Sequence, residues 1–250
     1  MYSIRSNVIA HIDLTEPFGT RSPWSFVVAK QPDEDGVDFG GVGWREGAVS
    51  VCFVKDADPD CSETLFRNYY RQHKIPFAES ERPLYQLRTS RIVLARDRKP
   101  LLLLQGCTAH GGNGSCGITT FVFAYDRAHD RFSVAFSEIT GSNNNQATRF
   151  IESGPLQGDV VVVYPTPDAP FVYEVEVHRL GGDGRYALML KYRGHTGYGD
   201  GNPLPVIDSE MPSILQHLGY WKAGDAPPTP PALPAGCTRV FMRRGVEWCG

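Results

Sequence analysis

The chain has 250 residues, 41% of them hydrophobic and 21% charged, enough apolar material for one large β domain or two smaller bodies and too much for a disordered chain. Its 25 basic and 28 acidic residues leave a net charge of −3 with no Lys/Arg stripe, which argues against a nucleic-acid partner. The longest apolar runs, PLLLLQG at 100–106 and DVVVVYP at 159–165, fall far short of the roughly 20 residues that a membrane-spanning helix needs, so no membrane span is expected.

The opening MYSIRSNVIAHIDL has neither an apolar h-region nor a small-residue cleavage site. Strand-like segments rich in β-branched and aromatic residues then recur: NVIAHIDL, WSFVVA, AVSVCFV, LYQLRTSRIVLA, PLLLLQ, ITTFVFAY, RFSVAFSEIT, DVVVVYP, FVYEVEVHRL, YALMLKYRG and TRVFMRR. FVYEVEVHRL alternates cleanly, with Phe171, Tyr173, Val175 and Val177 on one face and Glu174, Glu176 and His178 on the other. DEDGVD at 33–38 reads as a polar turn after WSFVVA; DRAHDR, GSNNN, GPLQGD and GGDG mark later turns. Two stretches look helical. CSETLFRNYYRQHK follows a capping Asp60, and DSEMPSILQHLGYW starts at an Asp208 or Ser209 cap, carries Pro212 in its first turn and stops at Gly219. KAGDAPPTPPALPAG at 222–236 is a proline-rich tether. The expected fold is mainly β, an antiparallel sandwich or small propeller-like arrangement with two short helices. Residues 1–221 form one globular domain, and 222–250 form the tether and a disulfide-pinned C-terminal segment packed on it.

Six cysteines fall into three sequence-local pairs, Cys52 with Cys61, Cys107 with Cys116 and Cys237 with Cys249, and none is left over. Each short loop, once bridged, removes about 2 to 3 kcal/mol of chain entropy from the unfolded state. Such bonds persist in an oxidising compartment, so the chain reads as a periplasmic or secreted protein whose signal peptide has been removed.

The stretch CTAHGGNGSC at 107–116 admits rival readings. Cys107, His110 and Cys116 supply three soft ligands, but structural zinc wants four. Asn113 to Gly117 approaches a nucleophile elbow around Ser115, yet a strand rather than a helix follows it. A disulfide-closed hairpin loop, with glycines serving the turn, is the preferred reading. Asn113-Gly-Ser115 is also formally a glycosylation acceptor. Asp56, Asp58 and Asp60 match the alternating carboxylates that open a calcium loop. However, Cys61 stands where that loop needs glycine and Arg67 where it needs glutamate, so no cofactor is expected. His11, His73, His129, His178 and His217 lack partners at metal-ligand spacing and read as structural.

The densest set of functional groups is HTGYGDGNPLPVIDSEMP at 195–212, a glycine- and proline-shaped loop on a β scaffold. It gathers His195, Tyr198, Asp200, Asn202, Asp208 and Glu210. As a binding loop it presents Tyr198 and Asn202, and GSNNNQ at 141–146 adds Asn143, Asn144 and Asn145 as amide donors and acceptors. As a catalytic loop it offers His195, Asp200, Asp208 and Glu210 for acid and base work on a glycan.

YGDGNPLPVIDSEMPSILQHLGYW and the terminal EWC resemble a family of uncharacterised bacterial extracytoplasmic proteins that share this loop, its proline-rich sequel and paired cysteines. That resemblance implies a location and no activity. Two functions follow: a cell-envelope or secreted binding protein for an envelope protein or glycan, and, as the alternative, an envelope hydrolase. No complete catalytic constellation can be read from spacing, and binding is preferred.

Overall fold

The structure is a computed structural model that describes residues 7–32, 34–38, 41–45, 47–56, 84–110, 116–141 and 145–250. It is mainly β, with antiparallel pairing in every recorded strand ladder. Contacts divide the chain into two compact units, residues 1–139 with 182–185, and residues 140–181 with 186–250. The boundary thus falls near 139, where the sequence had suggested one body as far as 221.

In the first unit, β1 (Val8–Asp13), β2 (Trp24–Lys30) and β5 (Val49–Lys55) form a three-stranded sheet. A single turn of helix, α1 (Thr15–Phe18), follows β1 and closes on Gly19, whose φ of 55° favours a residue without a Cβ. β6 (Gln86–Leu94), β7 (Pro100–His110), β8 (Cys116–Asp126) and β9 (Arg131–Gly141) form a second, four-stranded sheet in chain order. The inward residues of both sheets share one core, in which Phe26, Phe53, Phe123 and Phe132 meet edge-on or stacked at 4.8–5.1 Å for the closest pairs. Such aromatic pairs add about 0.5 to 1.5 kcal/mol each beyond area burial. The turn between β8 and β9 ends on Asp130, which accepts hydrogen bonds from the Tyr125 hydroxyl (2.6 Å), the Ser22 hydroxyl (2.8 Å) and the Trp24 indole (3.1 Å) and pairs with Lys55 (2.8 Å). Those donors, led by Lys55, hold its carboxyl well below the usual range.

DEDGVD departs from expectation. Its residues 34–38 are a strand, β3 (Glu34–Asp38), paired with β4 (Gly41–Arg45), so Asp35 and Asp38 belong to a ladder rather than to a polar turn. Alternation there is short and interrupted by glycine, which hides it from pattern reading.

The 107–116 question is settled by a disulfide: Cys107 and Cys116 are bonded across the end of the β7–β8 hairpin, with Cα atoms 5.5 Å apart. Both sulfurs are thereby taken from any zinc site. Cys237 and Cys249 are bonded likewise, Cα atoms again 5.5 Å apart. Cys61, the expected partner of Cys52, lies outside the described residues, as do the expected helix from 61 to 74, Asp58, Asp60, Ser115, Asn143 and Asn144.

The second unit contains β10 (Ala147–Phe150), β11 (Val160–Pro165), β12 (Val172–Leu180) and β13 (Tyr186–Gly197) in that order across one antiparallel sheet. Helix α2 (Val206–His217) packs on one face, burying Val206, Ile207, Ile214 and Leu215 against Val161, Val163, Tyr173, Val175 and Val177. Residues 206/207 and 214/215 lie about two turns apart, the spacing of one helical stripe. A last hairpin, β14 (Val240–Arg243) and β15 (Val246–Cys249), closes the chain, and β15 packs on α2. No helix among the described residues is long and apolar enough to cross a membrane.

Candidate functional site

The helix that carries the predicted acidic residues starts at Val206, with Pro205 before it, and not at Asp208 or Ser209. Asp208 therefore sits inside the first turn, where its side chain is free to leave the helix end. Pro212 falls in mid-helix rather than in the first turn, and Gly219 ends the helix with φ 75°, as expected.

Each acidic group in the loop and helix meets a specific set of donors. Asp208 is buried and takes a bidentate ion pair from Arg149 of β10, through Nη1 to Oδ1 and through Nη2 to Oδ2 at 2.9 Å. Glu210, also buried, accepts the backbone N–H groups of His195 (2.7 Å) and Thr196 (2.5 Å) on Oε1 and the Tyr192 hydroxyl (3.0 Å) on Oε2. β13 comes this close because Gly194 stands between those donors: a Cβ there would lie 2.8 Å from the Glu210 carboxyl carbon. Burial, then the Glu210 charge, pushes the Tyr192 hydroxyl far up, keeping it a neutral donor. Its ring stacks on His217 at 4.4 Å. Asp200 stays exposed and shapes the turn between β13 and α2, accepting from Gly197 N (3.2 Å) and Asn202 N (2.8 Å).

Asn202, expected as a ligand-reading amide, is a clamp. Its Nδ2 donates to the Ser209 hydroxyl (3.0 Å) and the Glu247 carbonyl (2.8 Å), and its Oδ1 accepts from Leu204 N (3.2 Å) and Cys249 N (3.4 Å). Ser209 relays the same contact, accepting from the Thr196 hydroxyl (3.1 Å) and donating to the Glu247 carbonyl (2.9 Å). Asn145 forms a turn with φ 55° and hydrogen-bonds the Tyr173 hydroxyl. The His195 ring is exposed at the end of β13, apart from the bonds made by its backbone N–H.

The structure therefore brings Asp208, Ser209, Glu210, Thr196 and Asn202 together, but as a fastening of β13, α2 and β15. The carboxylates are held by an arginine and by peptide N–H groups, an arrangement suited to rigidity and poor for proton transfer to a substrate. Among the described residues no group of three or more His, Cys, Asp or Glu is placed to hold a metal ion.

Two features escape sequence reading. Glu247, on β15, is 0% exposed, and both side-chain oxygens lack any hydrogen-bond partner. Burial, and after it the nearby Asp208 carboxylate, pushes its carboxyl up to about 7 from 4.5. The only sequence signal is a charged residue inside the short apolar run VEWC. Phe171 is the other. It is 48% exposed beside Tyr198, also 48% exposed, with ring centroids 6.5 Å apart and planes at 85°. The pair is held from behind. Tyr198 N donates to Phe171 O (2.9 Å), Thr166 N donates to Val172 O (2.8 Å) while its hydroxyl accepts from Val172 N (3.2 Å), and Arg193 donates to Pro170 O (3.1 Å). Among the described residues expected to bind ligand, Asn145 and Tyr198 are exposed, and Tyr198 stands on a backbone fixed by these bonds.

Compared with protein families, curated proteins and solved structures, the chain finds no match.

Proposed function

We propose that this is a binding protein of an oxidising, extracytoplasmic compartment, periplasmic or secreted and of bacterial type, that recognises another protein through the Phe171–Tyr198 pair. The observation that carries the reading is the rigidly backed, solvent-facing aromatic pair, set against acidic residues that are committed to internal bonds. Aromatic side chains supply large contact area at low entropic cost when their backbone is already fixed, which is why they dominate binding hot spots. Rings crossing at 85° form a notch for an apolar side chain, whereas sugars stack on flat aromatic faces. The two disulfides support the compartment. The alternative of an envelope hydrolase built on His195, Asp200, Asp208 and Glu210 has no observation in its favour.

Photo-crosslinking in the source cells tests this reading, with a benzophenone amino acid replacing Tyr198 or Phe171 and, as control, the exposed Leu94. A discrete protein adduct at both aromatic positions and none at Leu94 is the expected result. Adducts of equal yield at all three sites, or adducts to glycan alone, overturn it.

A further inference from the structure

Two buried glutamates, Glu210 on α2 and Glu247 on the strand packed against it, are treated oppositely by the fold. Glu210 receives three hydrogen-bond donors. Glu247 receives none on either oxygen. A carboxylate buried without donors or a counter-charge is strongly disfavoured, and the ordinary escape is to take up a proton and become neutral.

The charged groups around Glu247 reinforce that outcome. α2 turns Asp208 towards it, and the Asp208 charge raises the cost of a second negative charge. Arg149 of β10, the cation beside Asp208, is already taken by both oxygens of that carboxylate. On β14 its cross-strand partner is Met242, which carries no charge. Arg243 lies over the ring of Trp248, whose side chain points to the opposite face of β15 from that of Glu247. β13 places the His195 ring near Gly245, at the tip of the hairpin.

The backbone around Glu247 holds the hairpin to α2. Its carbonyl accepts from Asn202 and Ser209, the next-but-one N–H, Cys249, donates to Asn202, and Ser213 donates to Gly245 O (3.1 Å). These are a few neutral hydrogen bonds, each weak in net terms because both partners give up water to make it. One uncompensated buried charge matches them in size.

We propose that the C-terminal hairpin is a pH-operated latch, seated on α2 while Glu247 is protonated and released when the Glu247 carboxyl gives up its proton to solvent. The disulfide between Cys237 and Cys249 keeps the released segment a hairpin. Release uncovers Asn202, in the loop before α2, and Ser209 and Ser213 on α2. The sign follows from the raised carboxyl: seating is fully favoured below its ordinary value of 4.5 and is lost as pH rises through about 7.

Amide hydrogen exchange, corrected for intrinsic rates, reads the latch. Protection of residues 246–249 is expected to fall at least about tenfold between about pH 5.5 and about pH 8.5, with Val161–Val163 of β11 unchanged. In Glu247→Gln, which cannot ionise, protection of 246–249 stays flat across that range. Equal protection at both pH values in the wild-type protein, the same fall in Glu247→Gln, or a parallel fall in β11 overturns the latch. Should the Gln variant not fold, the Glu247 side-chain carbonyl carbon of the wild-type protein is followed directly by NMR. A midpoint near 7 supports the proposal, and one at 4.5 overturns it.

Discussion

At the scale of the residue, the second unit shows how identical side chains acquire different tasks. Glu210 is a neutraliser of peptide N–H groups, and its removal leaves two backbone donors and a tyrosine hydroxyl unmet in a dry site. Glu210→Ala should therefore cost roughly 3 kcal/mol in urea unfolding of this unit, and Glu210→Gln roughly 1 kcal/mol, since an amide oxygen still accepts. Gly194→Ala probes the same contact from the other side, because its methyl group meets the Glu210 carboxyl at 2.8 Å. A loss on the order of 2 kcal/mol is expected, and an unchanged urea midpoint would refute the contact. Asp208→Asn separates charge from shape: with that carboxylate gone, the Glu247 titration midpoint should move down from about 7, and a midpoint that stays put would show burial alone to be responsible.

At the scale of the element, the strands were legible where β-branched and aromatic residues run unbroken, as in VVVV at 160–163 and FVYEVEVHRL. They were illegible where glycine or a short run hides the period, as in EDGVD, ATRF and VEWC. The helix at 206–217 was legible in kind but displaced in register. Asp208 and Ser209 look like caps in sequence, yet burial of Val206 and Ile207 pulls the helix start ahead of them, a tertiary gain that outweighs local capping preference. That displacement also explains the site. As helix residues rather than caps, Asp208 and Glu210 point into the protein, and a cluster that reads as catalytic in one dimension becomes a fastening in three. Phe171 could not be foreseen as exposed from its alternation with Tyr173, because the strand begins one residue after it. The β14–β15 hairpin rests on its bridge as well as on α2. Serine at both Cys237 and Cys249 should lower its stability by about 2 to 3 kcal/mol, seen as loss of amide protection in 240–249 without a change in β11.

At the scale of the whole molecule, the two units carry opposite responses to pH. In the first, Asp130 is held below its ordinary 3.8 by Lys55 and three other donors, so its contribution is present above that value and is lost as pH falls through the lowered one. In the second, Glu247 makes the terminal hairpin weaken as pH rises through about 7. Fluorescence of Trp24, whose indole donates to Asp130, should report the acid transition, and that of Trp248 the one near neutrality. A single transition shared by both tryptophans would refute this division.

The covalent ring closed by Cys237 and Cys249 has a further result when the protein meets a peptidase. Arg243 and Arg244 stand out in solvent within that ring, so an enzyme that cuts after basic residues can nick the chain there without shedding a fragment. The nicked product would run as one band on a gel without reductant and would separate into two chains once the sulfur bond is reduced.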